Sequence, residues 1–287
     1  MSYKDLLQGG LQTLLERSGK LQDMASCDKR EIGNPQSIAE VVVDCTRHMQ
    51  NTETGAQPSL TRVAGGIQTE ITDKMRQILV SWLIEVHLKF NLLPETLYIA
   101  VNMIDRYCER QMVSRSHYQL LGITALLIAC KYEEIIVPPL KNFIEMTDNA
   151  YDRIQVINQE WKILYTLEYE ITFPTAYRFL ERFARLGNCD EQTFQFACYL
   201  CELTTIEVTM NRWPPSKVAC SAIYLAKKML KQEQCWNKTM SKHSNYSVKE
   251  VRECARHLVM LVNAAPTNSE MKPVFNKYST KKYLRVA

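Results

Sequence analysis

Apolar positions along this chain fall in runs at helical spacing separated by short polar breaks, and the run from Gly122 to Glu134, GITALLIACKYEE, differs from the others. Its small residues Gly122, Ala125 and Ala129 lie along a segment that is apolar nearly all round, so neighbouring helices can approach its backbone closely. The pattern predicts a buried central helix over about Ser116 to Tyr132. The run closes on Lys131, Glu133 and Glu134, charges that must surface or pair because an isolated buried charge is very costly. One end of the helix is therefore expected to be a polar site. A weaker copy follows: Thr124 to Lys131 lines up with Ser221 to Lys228, 228 − 131 = 97 residues downstream. That spacing predicts two related helical domains, each built around such a helix.

The other runs fill in both halves. Ser37 with Glu40 three residues on reads as the cap of a helix from Pro35 to about Gln50, carrying Ile38, Val41, Val42 and Cys45 on one face. A loop rich in Gly, Thr and Pro is expected from Asn51 to Gly66. From Ile71 to Asn91 the apolar residues wrap most of the circumference, so that helix needs partners on two sides. Further helices are predicted from Pro94 to about Arg110, from Pro138-Pro139 to Met146, and from Tyr151 to Glu168. After a link at Tyr169 to Phe173, helix starts are marked at Pro174, Glu191, Pro214-Pro215 and Ser247, with a short helix near Trp236. Beyond Gly66 the only glycines are Gly122 and Gly187, and no hairpin turn signal occurs, which predicts an all-α chain. The first 34 residues hold one weak leucine run (Leu6, Leu7, Leu11, Leu14, Leu15) broken by Gly9-Gly10 and read as a loosely held extension.

Composition narrows the chemistry. With 287 residues, 46% apolar and 23% charged, the chain can bury two modest cores. The net charge of +4 is spread among interleaved acids and bases, so no positive field of nucleic-acid size is expected. In the tail, Lys272, Lys277, Lys281, Lys282 and Arg285 face a single nearby acid, Glu270, and read as a solvated basic terminus. The ten cysteines are spread through apolar runs such as those of Cys108, Cys130, Cys198 and Cys220, which suits reduced thiols in the cytosol or nucleus. No export signal or membrane span is expected.

Glycine scarcity removes the dinucleotide fingerprint and the P-loop. The five histidines (His48, His87, His117, His243, His257) show no metal-ligand spacing, and Cys198-Tyr-Leu-Cys201 lies in an apolar helix without a second pair, so it reads as core. Glu133 and Glu134 diverge by about 100° on a helix and cannot converge on one substrate atom. No catalytic group, metal or cofactor is expected.

Specific segments carry a resemblance. Met75-Arg-Gln-Ile-Leu-Val-Ser-Trp-Leu-Ile-Glu-Val86, Leu92 to Tyr98, Asn102-Met-Ile-Asp-Arg106, Ala129-Cys-Lys-Tyr-Glu-Glu-Ile135, Thr147 to Tyr151, Pro214 to Ala219 and Asn276 to Thr280 keep the order and spacing of a cyclin, and the chain most resembles a mitotic B-type cyclin. The resemblance covers residues 37 to 282. It implies an all-α fold of two consecutive five-helix cyclin boxes with an N-terminal helix. The chain then divides into an extension (1–34), the N-terminal helix and linker (35–70), a first box (71–168), a second box (169–268) and the basic tail (269–287).

The implied function is to bind and activate a cyclin-dependent serine/threonine kinase in G2/M control, without catalysis of its own, in nucleus and cytoplasm. By position, Lys131 and Glu160 match the family's signature pair from the third and fifth helices of the first box, expected to bond the kinase backbone; without the resemblance they read as an exposed ion pair worth about 0.5 kcal/mol. Tyr132, Leu164, Tyr169 and Ile171 fall where the family packs apolar side chains on the kinase C-helix. Arg76 and Asp105 match an internal salt bridge. A groove for RxL-containing substrates or inhibitors maps onto Met75, Ile78, Leu79, Ser81, Trp82, Glu85, Arg115 and Gln119, with Ser81 where relatives usually carry aspartate. Val137 replaces the first proline of the usual EIxPP turn, and the extension shows no RxxL or KEN degron. The competing class is a two-cyclin-box transcription factor that binds nucleic acid, which would need a basic face across both boxes.

Overall fold

A computed structural model of the chain describes residues 25, 28, 42–55, 57–58 and 67–287. The expected start of the N-terminal helix at Pro35, with Ser37 as its cap, and the leucine run of residues 6 to 15 lie outside the described residues. Twelve α-helices and three short 3-10 turns are found among the described residues, and no strand. Helix α1 is Val42–Thr52. The first box comprises α2 (Asp73–Phe90), α3 (Pro94–Arg110), α4 (Tyr118–Glu133), α5 (Leu140–Glu145) and α6 (Arg153–Thr166). The second comprises α7 (Ala176–Leu186), α8 (Glu191–Ile206), α9 (Pro215–Met229), α10 (Lys238–Ser244) and α11 (Val248–Ala264), and α12 (Lys272–Tyr278) follows.

Local chemistry explains the boundaries. Side chains of Thr72, Asp152, Thr175, Asp190, Asn237 and Ser247 each accept a bond from a backbone N–H three residues on, closing helix N-termini that would otherwise leave donors unpaired. Helices α3 and α9 start with proline at the first turn and have no cap of their own. Each borrows a glutamate from elsewhere. Glu134, just past α4, accepts from Leu93 N at 2.7 Å and Thr96 Oγ1 at 2.6 Å. Glu53, just past α1, accepts from Ser216 N at 2.8 Å and Ser216 Oγ at 2.6 Å. The second of these bonds docks α1 on the second box, and burial raises the Glu53 carboxyl above its ordinary range.

The central helix is α4, buried from Tyr118 to Cys130 except at Gln119, with α2, α3 and α6 packed around it. Gly122 gives α2 room there: a Cβ on it would meet Leu79 Cδ1 of α2 at 2.7 Å, and that side chain would have to shift. In the second box α9 has the same place, packed by α7, α8 and α11. The starts of α4 and α9 are 215 − 118 = 97 residues apart, the spacing of the sequence echo. The predicted start of α4 at Ser116 gives way to a separate 3-10 turn at Arg115–His117.

Two buried ion pairs tie distant elements together. Arg76 on α2 grips Asp105 on α3 through Nε at 2.6 Å and Nη2 at 2.7 Å. Its Nη1 also donates to the carbonyls of Thr205 and Ile206, both at 3.0 Å, so one guanidinium closes the C-terminal end of α8 as well, where a positive charge is favoured by the helix dipole. This residue pair is therefore a link between boxes and not only within the first. The second pair corrects the reading of the tail as solvated at Lys277 alone, since Lys272, Lys281, Lys282 and Arg285 are exposed. Lys277 Nζ lies 2.6 and 2.8 Å from the two oxygens of Glu202, both residues are buried, and Tyr278 OH donates to the same carboxylate at 2.9 Å. Glu202 sits on the buried face of α8 and needs a counter-charge, which pulls α12 onto α8 and α2. Cys198 and Cys201 are unpaired core residues whose thiols burial pushes upward, away from the reactive thiolate form.

Candidate functional site

The polar end of α4 is where the expected site residues meet. Lys131 Nζ lies 2.6 Å from Glu160 Oε1 of α6, with the lysine side chain 50% exposed and the glutamate 17%. In the free chain such a pair contributes at most about 1 kcal/mol. What sets it apart is its surroundings. Tyr132 is exposed and its OH is bonded to Thr172 Oγ1 at 2.7 Å. Leu164 and Ile171 are half-buried against the core, and Tyr169 is exposed. The turn that presents Tyr169 holds Glu168 and Tyr169 at φ 55° and 60°, a left-handed pair costing of order 1 kcal/mol per residue, partly recovered by the bond from Tyr169 N to Leu164 O at 2.9 Å.

Residues not singled out from the sequence extend this face. Ile135 is 97% exposed and Ile136 is also open, on the segment leaving α4; on α6, Trp161 and Tyr165 are exposed and stacked with ring centroids 5.2 Å apart. Large apolar side chains left in water beside one another mark an interaction surface. The available signals were the isoleucine pair ahead of Pro138 and an aromatic pair at i and i+4 directly after Glu160, neither of which any apolar stripe required.

The adjacent glutamates go to different partners, as their helical divergence requires. Glu134 caps α3, while Glu133 Oε1 lies 2.5 Å from Arg178 Nη2 on α7. Arg178 Nε is also 3.7 Å from Glu95 Oε1, and Glu95 accepts from Thr175 Oγ1 at 2.6 Å. Burial pushes the Glu95 carboxyl up to about 7, against the opposing pull of the Thr175 bond and the Arg178 charge.

The expected docking stripe on α2 divides. Ile78 is 53% exposed, Met75 and Trp82 are partly buried, and Glu85 is exposed, whereas Leu79 is turned inward over Gly122 at 6% exposure. Ser81 is 9% exposed at the edge of the stripe, and Val80, Leu83 and Ile84 are fully buried as the second apolar face. Exposed Arg115 lies in the 3-10 turn before α4 and half-buried Gln119 in the first turn of α4, with Arg115 N bonded to Glu70 Oε2 at 2.9 Å. Among the described residues no group of three or more His, Cys, Asp or Glu could hold a metal ion, and no helix is long and apolar enough to cross a membrane.

The model of the cyclin N-terminal domain matches residues 44–172, and that of the cyclin C-terminal domain residues 174–287. A G2/mitotic-specific cyclin-B of Hydra vulgaris is 40% identical over 260 residues, covering 91% of this chain and 71% of the relative. Cyclin-B2-1 of Arabidopsis thaliana is 42% identical over 220 residues, 77% of this chain and 51% of the relative, and Cyclin-B1-4 of the same plant is 44% identical over 226 residues, 77% and 58%. The chain thus spans between half and three fifths of the length of these two plant proteins. Among solved structures, a viral cyclin from herpesvirus saimiri superposes with a TM-score of 0.68 at 19% identity, over 76% of this chain and 96% of that one. A chain of the yeast RNA Pol II CTD kinase CTDK-1 complex gives 0.60 at 14% identity, over 74% and 72%. At such identities these two establish a shared fold.

Proposed function

This chain belongs to the cyclin family, with B-type cyclins among its relatives, and on that premise we propose that it is the regulatory subunit of a cyclin-dependent serine/threonine kinase acting at the G2/M transition. The observation that carries the reading is the exposed face at the end of α4, where an ion pair with unused bonding capacity stands among solvent-facing Tyr132, Ile135, Trp161 and Tyr169.

The mechanism is differential binding. A kinase whose C-helix is swung out is catalytically incomplete, and a partner that fits only the swung-in form shifts the population towards it. Moving the balance from 1:99 to 99:1 takes about 5.5 kcal/mol of preference. At about 25 cal/mol per Å² of apolar surface that is about 220 Å², roughly the surface of one or two aromatic side chains. Tyr132, Trp161, Tyr165 and Tyr169 are the exposed aromatic side chains available for it. Lys131 keeps two ammonium hydrogens and Glu160 a second oxygen for kinase backbone groups, which fix register. Nucleotide and catalytic groups belong to the kinase. The stripe of Met75, Ile78 and Trp82 is proposed to hold RxL-type peptides of substrates or inhibitors, and the protein to act in nucleus and cytoplasm.

The test is to mix the purified chain with a purified cyclin-dependent catalytic subunit and follow histone phosphorylation. The expected result is no transfer by the chain alone and a rise of orders of magnitude in the kinase's activity. Transfer by the chain alone, or no activation of any such kinase together with salt-sensitive binding to DNA, would overturn it.

A further inference from the structure

The last turn of α4 is tied down more densely than helix packing demands. Arg178, in the first turn of α7, reaches carboxylates on three helices: Glu133 Oε1 of α4 at 2.5 Å, Glu181 Oε2 of α7 at 3.1 Å and Glu95 Oε1 of α3 at 3.7 Å. Glu133 is two residues beyond Lys131 and adjoins Tyr132, whose OH is bonded to Thr172 on the strap that leads into α7. From the other side Glu134 fastens the same turn to the start of α3. The first box thus grips the end of α4 through Glu134, and the second box grips it through Arg178. A planar guanidinium can serve several acids at once from fixed directions, which an ammonium cannot. Remove it, and Glu133, Glu181 and Glu95 lose the cation that they share.

We propose that Arg178 is a positioning residue for kinase binding: from the second box it fixes the last turn of α4 and so the orientation in which Lys131 and Tyr132 are presented. This rests on the kinase-binding reading above. It gives the second box a part in an interface made by the first, through the contact from Arg178 to Glu133.

The test measures, with the full chain and a purified catalytic subunit, the cyclin concentration giving half-maximal kinase activation and the plateau reached at saturation, for Arg178→Gln, Arg178→Lys, Glu133→Gln, the Arg178→Gln/Glu133→Gln double variant and Lys131→Ala. Loss of one good ion pair corresponds to about a fivefold change. Arg178→Gln and Glu133→Gln are expected each to raise the half-maximal concentration about fivefold with the plateau unchanged. The double variant should cost no more than either single one, because both remove the same contact. Arg178→Lys, which retains one charge beside Glu133, should recover most of the affinity. Thermal melts of each variant separate a smaller folded fraction, which would also raise the half-maximal concentration, from a loss of affinity; half-saturation shifts fully accounted for by the folded fraction overturn the proposal. Wild-type half-saturation for Arg178→Gln, with activation lost in Lys131→Ala, overturns this proposal and leaves the kinase reading standing; wild-type behaviour of both overturns the two together. Additive effects of the Arg178 and Glu133 variants would mean that Arg178 acts elsewhere, and also overturn it. Should Arg178→Gln fail to fold, Glu133→Gln and Arg178→Lys decide: unchanged half-saturation in Glu133→Gln is the overturning result.

Discussion

If Lys131 and Glu160 form the core of a kinase interface, removing either must affect folding and binding very differently. In the free chain the ammonium is half exposed and the pair is a single contact of 2.6 Å at the surface. Either Lys131→Ala or Glu160→Ala should therefore cost less than about 1 kcal/mol of stability. For a protein of this size that is a fall of no more than about 4 °C in melting temperature. On association the same two groups lose their water, and a lone survivor is then a desolvated charge with half its partners missing. Each single variant should lose about 2–5 kcal/mol of kinase affinity, or about 30-fold to several thousandfold in Kd. The double variant should lose much less than the sum, because the second removal also deletes the stranded charge. Calorimetric titration of the catalytic subunit, with thermal melts of every variant, separates the two effects. Single variants that melt like the wild type and bind the kinase like the wild type would reduce the pair to a surface salt bridge, and additive losses in the double variant would show that the two residues do not act together at the interface.

Three further outcomes follow from other parts of the fold. Trp82→Ala should weaken an RxL peptide while leaving phosphorylation of a short generic peptide intact, and Ser81→Asp should tighten the peptide about fivefold by adding a charge-assisted bond; equal peptide affinity of wild type and Ser81→Asp in a fluorescence titration would remove Ser81 from the groove. Gly122→Ala gains about 1 kcal/mol of helix propensity but forces its Cβ to within 2.7 Å of Leu79 Cδ1 in a packed core, where overpacking costs about 1–3 kcal/mol, so denaturant melts should show a net loss that Leu79→Val relieves. Glu95 holds its proton up to about pH 7 when folded and releases it near 4.5 when unfolded, so its contribution is full below pH 4.5 and is lost as pH rises to 7; with Arg178, Glu133, Glu181 and Thr175 facing it, Glu95→Gln should flatten stability against pH across that window, and an unchanged slope would refute the assignment.

The helices were legible because their ends are written locally. Proline at the first turn of α3 and α9, and Asp152, Asp190 and Ser247 as caps, mark starts within a few residues of where they lie, and glycine scarcity excludes a sheet. What the spacing could not reveal is the partner of each charge. Arg76 finds the end of α8 129 residues away, Lys277 finds Glu202 75 residues away, and Arg178 finds Glu133 45 residues away. Periodicity sorts residues by the face they need and is silent on a buried ion pair, since a lysine that will be fully enclosed has the same sequence appearance as one in water. That is why Lys277, averaged with Lys281 and Lys282, read as part of a solvated tail. The pairing of Lys131 with Glu160 came from family resemblance for the same reason: both are exposed in part, and no stripe requires either. The neighbours Ile78 and Leu79 show the limit at finer scale, for both fit one apolar stripe, yet the 100° between adjacent helical positions points one to solvent and the other onto Gly122. Chain-local patterns thus fix where each helix lies, while the charges that orient the exposed end of α4 act between segments that only the packed boxes bring together.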